Sequence, residues 1–184
     1  MYENGTTQHS IKNKFIITKD RNQSHMTLDR KNIAFLTANG VNQNDISMMQ
    51  RALIQQRIFP KIIGAGSKLI TSWDGSQWGH NFAMDVSVTE ALGADFDVLI
   101  IPGGSRAMDV LSETAHTKRI INSFIIAGKP VVVMGDADSL FKTFDMSLTS
   151  DSVRLVSEIT EETVKDSVSW FSKFETQDMD QLAA

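Results

Sequence analysis

Two aspartates and a pair of glycines are the residues with the clearest potential for chemistry. Asp136 follows an apolar run after a single glycine, and Asp45 comes a few residues after Asn39-Gly40. Two carboxylates that approach each other share a proton, which raises the pKa of one and creates an acid–base pair. The backbone N–H groups of Gly103 and Gly104 can stabilise an oxyanion. One interpretation is therefore a small-molecule hydrolase or lyase that uses Asp136 and Asp45.

These aspartates also have a structural interpretation. Asp45 is expected in the first turn of a helix, where the helix dipole favours a negative charge. Gly135 permits a tight strand-to-helix turn, after which Asp136 or Asp138 caps the next helix. No activating environment for a carboxylate nucleophile is visible, so we favour this interpretation and expect no catalytic residue.

The composition excludes several kinds of site. The 184 residues include no cysteine, which excludes disulfides, zinc–thiolate sites and cysteine nucleophiles. The four histidines show no metal-ligand spacing, and the glycine-rich loops match neither a dinucleotide fingerprint nor a P-loop. A net charge of −4 disfavours nucleic acid and anionic membranes as partners. We expect no cofactor and no metal.

Three short apolar runs predict the strands that position these residues. They are Ile33 to Thr37, Val98 to Ile101 and Val131 to Met134, and such continuous runs are typical of parallel strands buried on both faces. Helical patterns alternate with them, which indicates an α/β fold with a doubly wound, mostly parallel sheet and helices on both faces. Ligands bind beyond the carboxyl ends of such strands. The expected pocket there comprises Asn39, Gly40, Gly103, Gly104 and Asp136.

The other elements follow from periodicity and turn residues. We predict a helix from about residue 46 to 57, capped by Asn42 or Asn44 and ended by Pro60. A second helix spans about 114–127, with Gly128 just beyond its end. A strand at 153–156 and a terminal helix capped by Thr160 complete the chain.

A hairpin is predicted around Asp74-Gly75, with strands at 68–73 and 81–85. Trp73 and Trp78 flank its turn. If both side chains are exposed, they form a contact surface for a protein partner.

The chain divides into an arm and a domain. Residues 1–30 are rich in asparagine, glutamine, threonine and lysine and contain one short apolar run, Phe15-Ile16-Ile17. This composition predicts an N-terminal arm that is mobile or is exchanged within a dimer. Residues 31–184 are predicted to form one domain. Neither a secretory signal nor a membrane-spanning run is visible, so we expect a cytoplasmic protein.

Residues 31 to 145 resemble the DJ-1/PfpI superfamily, which has a class I glutamine amidotransferase-like fold. The resemblance rests on Phe96 to Gly104 and Ala127 to Met134, which contain the Pro-Gly-Gly and Ala-Gly-Lys-Pro motifs. It implies a flavodoxin-like sheet and a sharp elbow that carries a cysteine nucleophile in the family. In this sequence Gly135 occupies the position of the family cysteine. Asp136 occupies the next position, where the family often has a histidine. The acidic residue that supports the family's thiolate corresponds to Asp45.

The Gly135-Asp136-Ala137 elbow, with Phe141-Lys142 after it, is similar to one branch in particular: the C-terminal domain of large-subunit haem catalases, which lacks the cysteine. The chain is too short for a haem catalase core, so the resemblance implies a free-standing relative or a detached domain. It further implies a non-catalytic module that acts as a homodimer or higher homo-oligomer, or by binding a protein partner. Chaperone-like binding of unfolded clients in a stress response is one such role.

Overall fold

A computed structural model describes residues 31–174. The predicted N-terminal arm therefore lies outside the described residues, as do residues 175–184. The two-part division of the chain stays a prediction.

A six-stranded sheet forms the centre of the described region. From one edge to the other its strands are β6 (Val86–Ser87), β3 (Lys61–Ala65), β1 (Ile33–Ala38), β7 (Val98–Ile101), β8 (Val131–Met134) and β9 (Val153–Val156). Each of these neighbouring pairs is parallel. Every residue of β1, β7 and β8 is buried, which explains why their sequences are continuous apolar runs. The predicted flavodoxin-like α/β fold is confirmed.

Within residues 31–174, five helices pack around this sheet in two groups. They are α1 (Gln43–Gln55), α2 (Ser105–Ser112), α3 (Ala115–Ile126), α4 (Asp138–Thr143) and α5 (Glu161–Phe171). α1 contacts α5, whereas α2 contacts α3 and α4 and also lies against β1. Single turns of 3-10 helix precede β7 and α4, at Gly93–Asp95 and Gly135–Ala137. The sequence did not predict α2.

Three helix ends follow the predicted capping chemistry. The side chain of Asn42 accepts hydrogen bonds from the backbone N–H groups of Asn44 and Asp45, so Asn42 is the cap of α1. Thr160 and Thr163 form a reciprocal capping box at the start of α5. Gly128 has a φ of +65° just beyond α3, the conformation that ends many helices and favours glycine.

A smaller sheet contains β2 (Val41–Asn42), β4 (Leu69–Trp73) and β5 (Trp78–Ala83). β4 and β5 form the predicted antiparallel hairpin. The second strand exists, but its predicted bounds of 81–85 are wrong, since β5 spans Trp78–Ala83. The physical reason is the turn: the Asp74 carboxylate accepts hydrogen bonds from the N–H groups of Ser76 and Gln77, and Asp74 N–H donates to the Gln77 carbonyl. This closes the turn within four residues, so pairing resumes at once.

No helix within residues 31–174 combines the length and apolar character needed to span a bilayer.

Candidate functional site

The elbow after β8 is built on a glycine in the left-handed region. β8 ends at Met134, and Gly135 turns the chain sharply with a φ of +54°. A Cβ placed on Gly135 would lie 3.1 Å from Asp45 Oδ2. The elbow position therefore points toward the first turn of α1, and glycine adopts its backbone conformation without strain.

The two neighbouring amide groups of the Pro-Gly-Gly loop are occupied by carboxylates of the chain itself. Gly103 N–H donates to Asp45 Oδ2 over 3.0 Å, and Gly104 N–H donates to Asp136 Oδ1 over 2.6 Å. These are the donors that would otherwise be available to an oxyanion. An incoming oxyanion would have to displace two negatively charged acceptors.

The expectation that Asp136 or Asp138 caps the next helix is wrong. Asp136 points across to Gly104, and Asp138 forms an ion pair with Lys142 over 2.6 Å. α4 begins without a side-chain hydrogen bond at its cap. Asp136 has this different role because the 3-10 turn at Gly135–Ala137 separates it from the first turn of α4.

Asp45 and Asp136 lie close together around Gly103. A Cβ on Gly103 would be 2.7 Å from Asp45 Oδ2 and also 2.7 Å from Asp136 Oδ1, so the two oxygens are less than twice that distance apart. Asp45 is only 3% exposed. Burial raises the pKa of Asp45 to about 6; the hydrogen bond from Gly103 opposes this shift and the charge of Asp136 adds to it. Within residues 31–174 neither carboxylate pairs with a lysine or arginine.

These carboxylates line an open cavity of about 340 Å³ at the carboxyl ends of the strands. Its other wall carries Trp73 and Arg106, whose guanidinium carbon lies 4.2 Å above the Trp73 ring centre. Trp78 packs edge-on against Trp73 at 5.4 Å between ring centres and stays 54% exposed. The cavity thus has an acidic side, and a cationic and aromatic side.

A third aspartate, Asp74, lies at the rim of the cavity. The N–H groups of Gln77 and Ser76, together with the Ser76 hydroxyl, lower its pKa to about 2. These hydrogen bonds hold Asp74 within the hairpin turn.

The predicted pocket residues occupy different places. Gly40, Gly104 and Asp136 line the cavity, as do Asp45 and the elbow residue Gly135. Gly103 does not line the cavity, and its N–H donates a hydrogen bond to Asp45. Asn39 lies outside the lining, and its side-chain oxygen accepts a hydrogen bond from Thr71 N–H.

Sequence reasoning missed Arg106, because α2 was not predicted. Arg106 is the second residue of α2, and its side chain passes over Gly40 to contact the Trp73 ring. A Cβ on Gly40 would lie 2.3 Å from Arg106 Cβ, and the φ of Gly40 is +88°. The glycine after β1 was therefore the available signal: it marks a close approach by another chain segment.

No cluster of three or more histidine, aspartate or glutamate side chains within residues 31–174 is arranged to hold a metal ion. His80 and His116 are both exposed. Chemically, the site offers three carboxylates, those of Asp45, Asp136 and Asp74, and one guanidinium, but no side chain at the elbow. It can bind charged and hydrogen-bonding groups, and it has no thiol or hydroxyl in the position of the family nucleophile.

Comparisons with known proteins show which fold and which family the chain shares. No curated protein matches the chain in sequence. The VC2308 protein superimposes with a TM-score of 0.59 at 16% identity, over 65% of this chain and 60% of that one. A two-domain protein from Anabaena variabilis, with DJ-1/ThiJ/PfpI-like and ferritin-like domains, gives 0.58 at 19%, over 70% of this chain and 40% of that one. This chain thus matches less than two thirds of either protein.

A point mutant of DJ-1 from Schizosaccharomyces pombe also superimposes, with a TM-score of 0.59 at 14% identity. Here the match covers 83% of this chain and 99% of that one. At these identities the structures show a shared fold. The model of the DJ-1/PfpI family matches residues 31–148, and we conclude that the chain belongs to the DJ-1/PfpI family.

Proposed function

We propose that this chain is a non-catalytic member of its family that acts by binding. The observation that supports this most strongly is the occupation of both amide donors, Gly103 N–H by Asp45 and Gly104 N–H by Asp136. Covalent catalysis at this elbow needs a nucleophile and free oxyanion donors. Gly135 supplies no nucleophile, and the carboxylates fill the donors.

Within the family, we place the chain nearest to the C-terminal domain of haem catalases. The Gly135-Asp136-Ala137 elbow followed by Phe141-Lys142 supports this placement. Such a module would act through its surfaces, by self-association as a homodimer or higher homo-oligomer, or by docking a protein partner in the cytoplasm. Sedimentation velocity at several concentrations tests self-association; a species of monomer mass throughout would contradict it.

One binding role is the capture of unfolding proteins in a stress response. The supporting feature is the pair Trp73 and Trp78: Trp78 is 54% exposed at the tip of the hairpin and packs on the partly buried Trp73. An exposed indole fixed by an aromatic neighbour provides apolar contact area at little entropic cost.

Light scattering of a heat-denatured client protein tests this role. We expect near-stoichiometric amounts of the intact chain to suppress aggregation, and Trp78→Ser to weaken the suppression. Leu92→Ser is the matched control, because Leu92 is equally exposed at 53% but lies away from the hairpin, before β7. Absence of suppression by the intact chain, or equal losses in both variants, would contradict the role.

A further inference from the structure

We propose that the cavity at the elbow binds a small zwitterion that carries one ammonium and one carboxylate group, the chemical class of the free α-amino acids. The inference rests on the proposed function in one respect, namely that the elbow site does not transform what it binds. The inference adds which chemical groups the ligand presents. The supporting observation is the arrangement of charged side chains around this one cavity.

The acidic side of the cavity fits an ammonium group. Asp45 and Asp136 each use one oxygen to accept a glycine N–H. Their other oxygens, Asp45 Oδ1 and Asp136 Oδ2, accept no hydrogen bond from residues 31–174, although Asp45 is almost fully buried and lines the cavity. Asp136 is exposed, so Asp45 is the buried member of the pair. A buried carboxylate is normally paired with a cation. An ammonium group has three donors and a positive charge, so it is the group that this pair of carboxylates favours.

The other side of the cavity fits a carboxylate. The Arg106 guanidinium stacks on Trp73 and donates no hydrogen bond to an acceptor within the described part of the chain. Stacking fixes the plane of the guanidinium and leaves its N–H edges available, the geometry that binds a carboxylate through two parallel hydrogen bonds. Arg106 also lies in the first turn of α2, where the helix dipole favours an anion.

Size and lining restrict the ligand further. A volume of about 340 Å³ lies at the lower end of small-molecule sites. A simple anion would be repelled by the three aspartates that line the cavity, and a simple cation would leave Arg106 without a partner in the ligand. A ligand with both groups satisfies both sides of the cavity.

Calorimetric titration of the full chain with individual α-amino acids tests the inference. For an amino acid that binds, the decarboxylated amine and the N-acetyl derivative are the matched probes, since each lacks one of the two charges. We expect at least one amino acid to bind and each of its derivatives to bind at least about tenfold more weakly. Absence of binding by every amino acid up to about 10 mM, or equal binding of the derivatives, would overturn the inference.

Variants locate the binding. Asp136→Asn and Arg106→Gln should each weaken the affinity by about tenfold or more, whereas Leu92→Ser should leave it unchanged. Binding that survives both cavity variants would also overturn the inference, because the ligand would then lie elsewhere.

Proton NMR of the same mixtures separates this inference from the proposed function. Binding accompanied by new product signals would contradict the proposed non-catalytic function and leave the ligand class intact. Absence of both binding and product would contradict the ligand class and leave the proposed function intact.

Discussion

Removing the charge of Asp45 should stabilise the protein at neutral pH. In Asp45→Asn the side-chain oxygen still accepts the hydrogen bond from Gly103 N–H, which is 3.0 Å long in the structure. The substitution therefore keeps the shape and the acceptor and removes only a buried negative charge. It also relieves the repulsion between Asp45 and Asp136.

The size and sign of the effect follow from the pKa of Asp45. Burial raises this pKa from 3.8 to about 6, so the native state binds the proton more tightly than the unfolded chain does. The stability that this proton contributes is complete below about pH 4 and is lost as the pH rises through 6. Above about pH 7 the ionised, buried group costs up to about 3 kcal/mol, at 1.36 kcal/mol for each pKa unit.

Denaturant unfolding of the wild type and Asp45→Asn at several pH values measures this effect. We expect equal free energies of unfolding near pH 4, and a variant that is about 2 to 3 kcal/mol more stable near pH 8. In a thermal scan this corresponds to an increase of about 5 to 10 °C in Tm. Asp151→Asn, at an exposed position, is the control and should show no pH-dependent difference. A difference that does not change with pH, or a variant that is less stable at pH 8, would refute the reasoning.

Three further substitutions test the geometry around the elbow and one helix cap. Gly135→Cys gives the chain a single thiol at a φ of +54°; it should destabilise the protein by about 1 kcal/mol. The two carboxylates should raise the pKa of this thiol above about 8.5. The rate of alkylation should therefore still increase above neutral pH, and a rate that has already reached its plateau at neutral pH would contradict the geometry. Gly103→Ala places a Cβ 2.7 Å from one oxygen each of Asp45 and Asp136, and it should lower the free energy of unfolding in urea by about 2 kcal/mol. An unchanged urea midpoint would show that the two carboxylates are not so close to Gly103. Thr160→Ala removes the cap of α5 and should cost about 1 kcal/mol, whereas Thr160→Ser should cost much less.

The fold could be predicted because its central strands are buried on both faces. Apart from the buried Thr37, the residues of β1, β7 and β8 are apolar, so each strand is visible as an apolar run between turn signals. α2 was missed for the opposite reason. It has eight residues, it begins after Gly104 without a side-chain cap, and α3 follows it almost directly. The sequence of α2 therefore has no clear helix-start signal, and the helix is too short to show a recognisable periodicity.

The proximity of the candidate site residues could be predicted, but their hydrogen bonds could not. Sites in such folds lie beyond the carboxyl ends of the strands. This rule and the family resemblance together predicted that Asp45, Asp136 and the Pro-Gly-Gly loop lie close together there. The direct bonds from Gly103 and Gly104 to the carboxylates depend on the backbone angles at Gly104, with a φ of +124°, and at Gly135. Glycine leaves these angles undetermined by the sequence, so only the three-dimensional structure shows that the donors are occupied.

Turnover by the intact chain is the most direct test of the central claim, that Asp45 and Asp136 occupy the reaction site of the family. Proton NMR can follow small aldehydes, esters and amides during long incubation with the purified protein. The account predicts no conversion beyond that in buffer or with the double variant Asp45→Asn, Asp136→Asn. Conversion that the intact chain catalyses and that Asp136→Asn abolishes would contradict the claim and identify the aspartates as an acid–base pair.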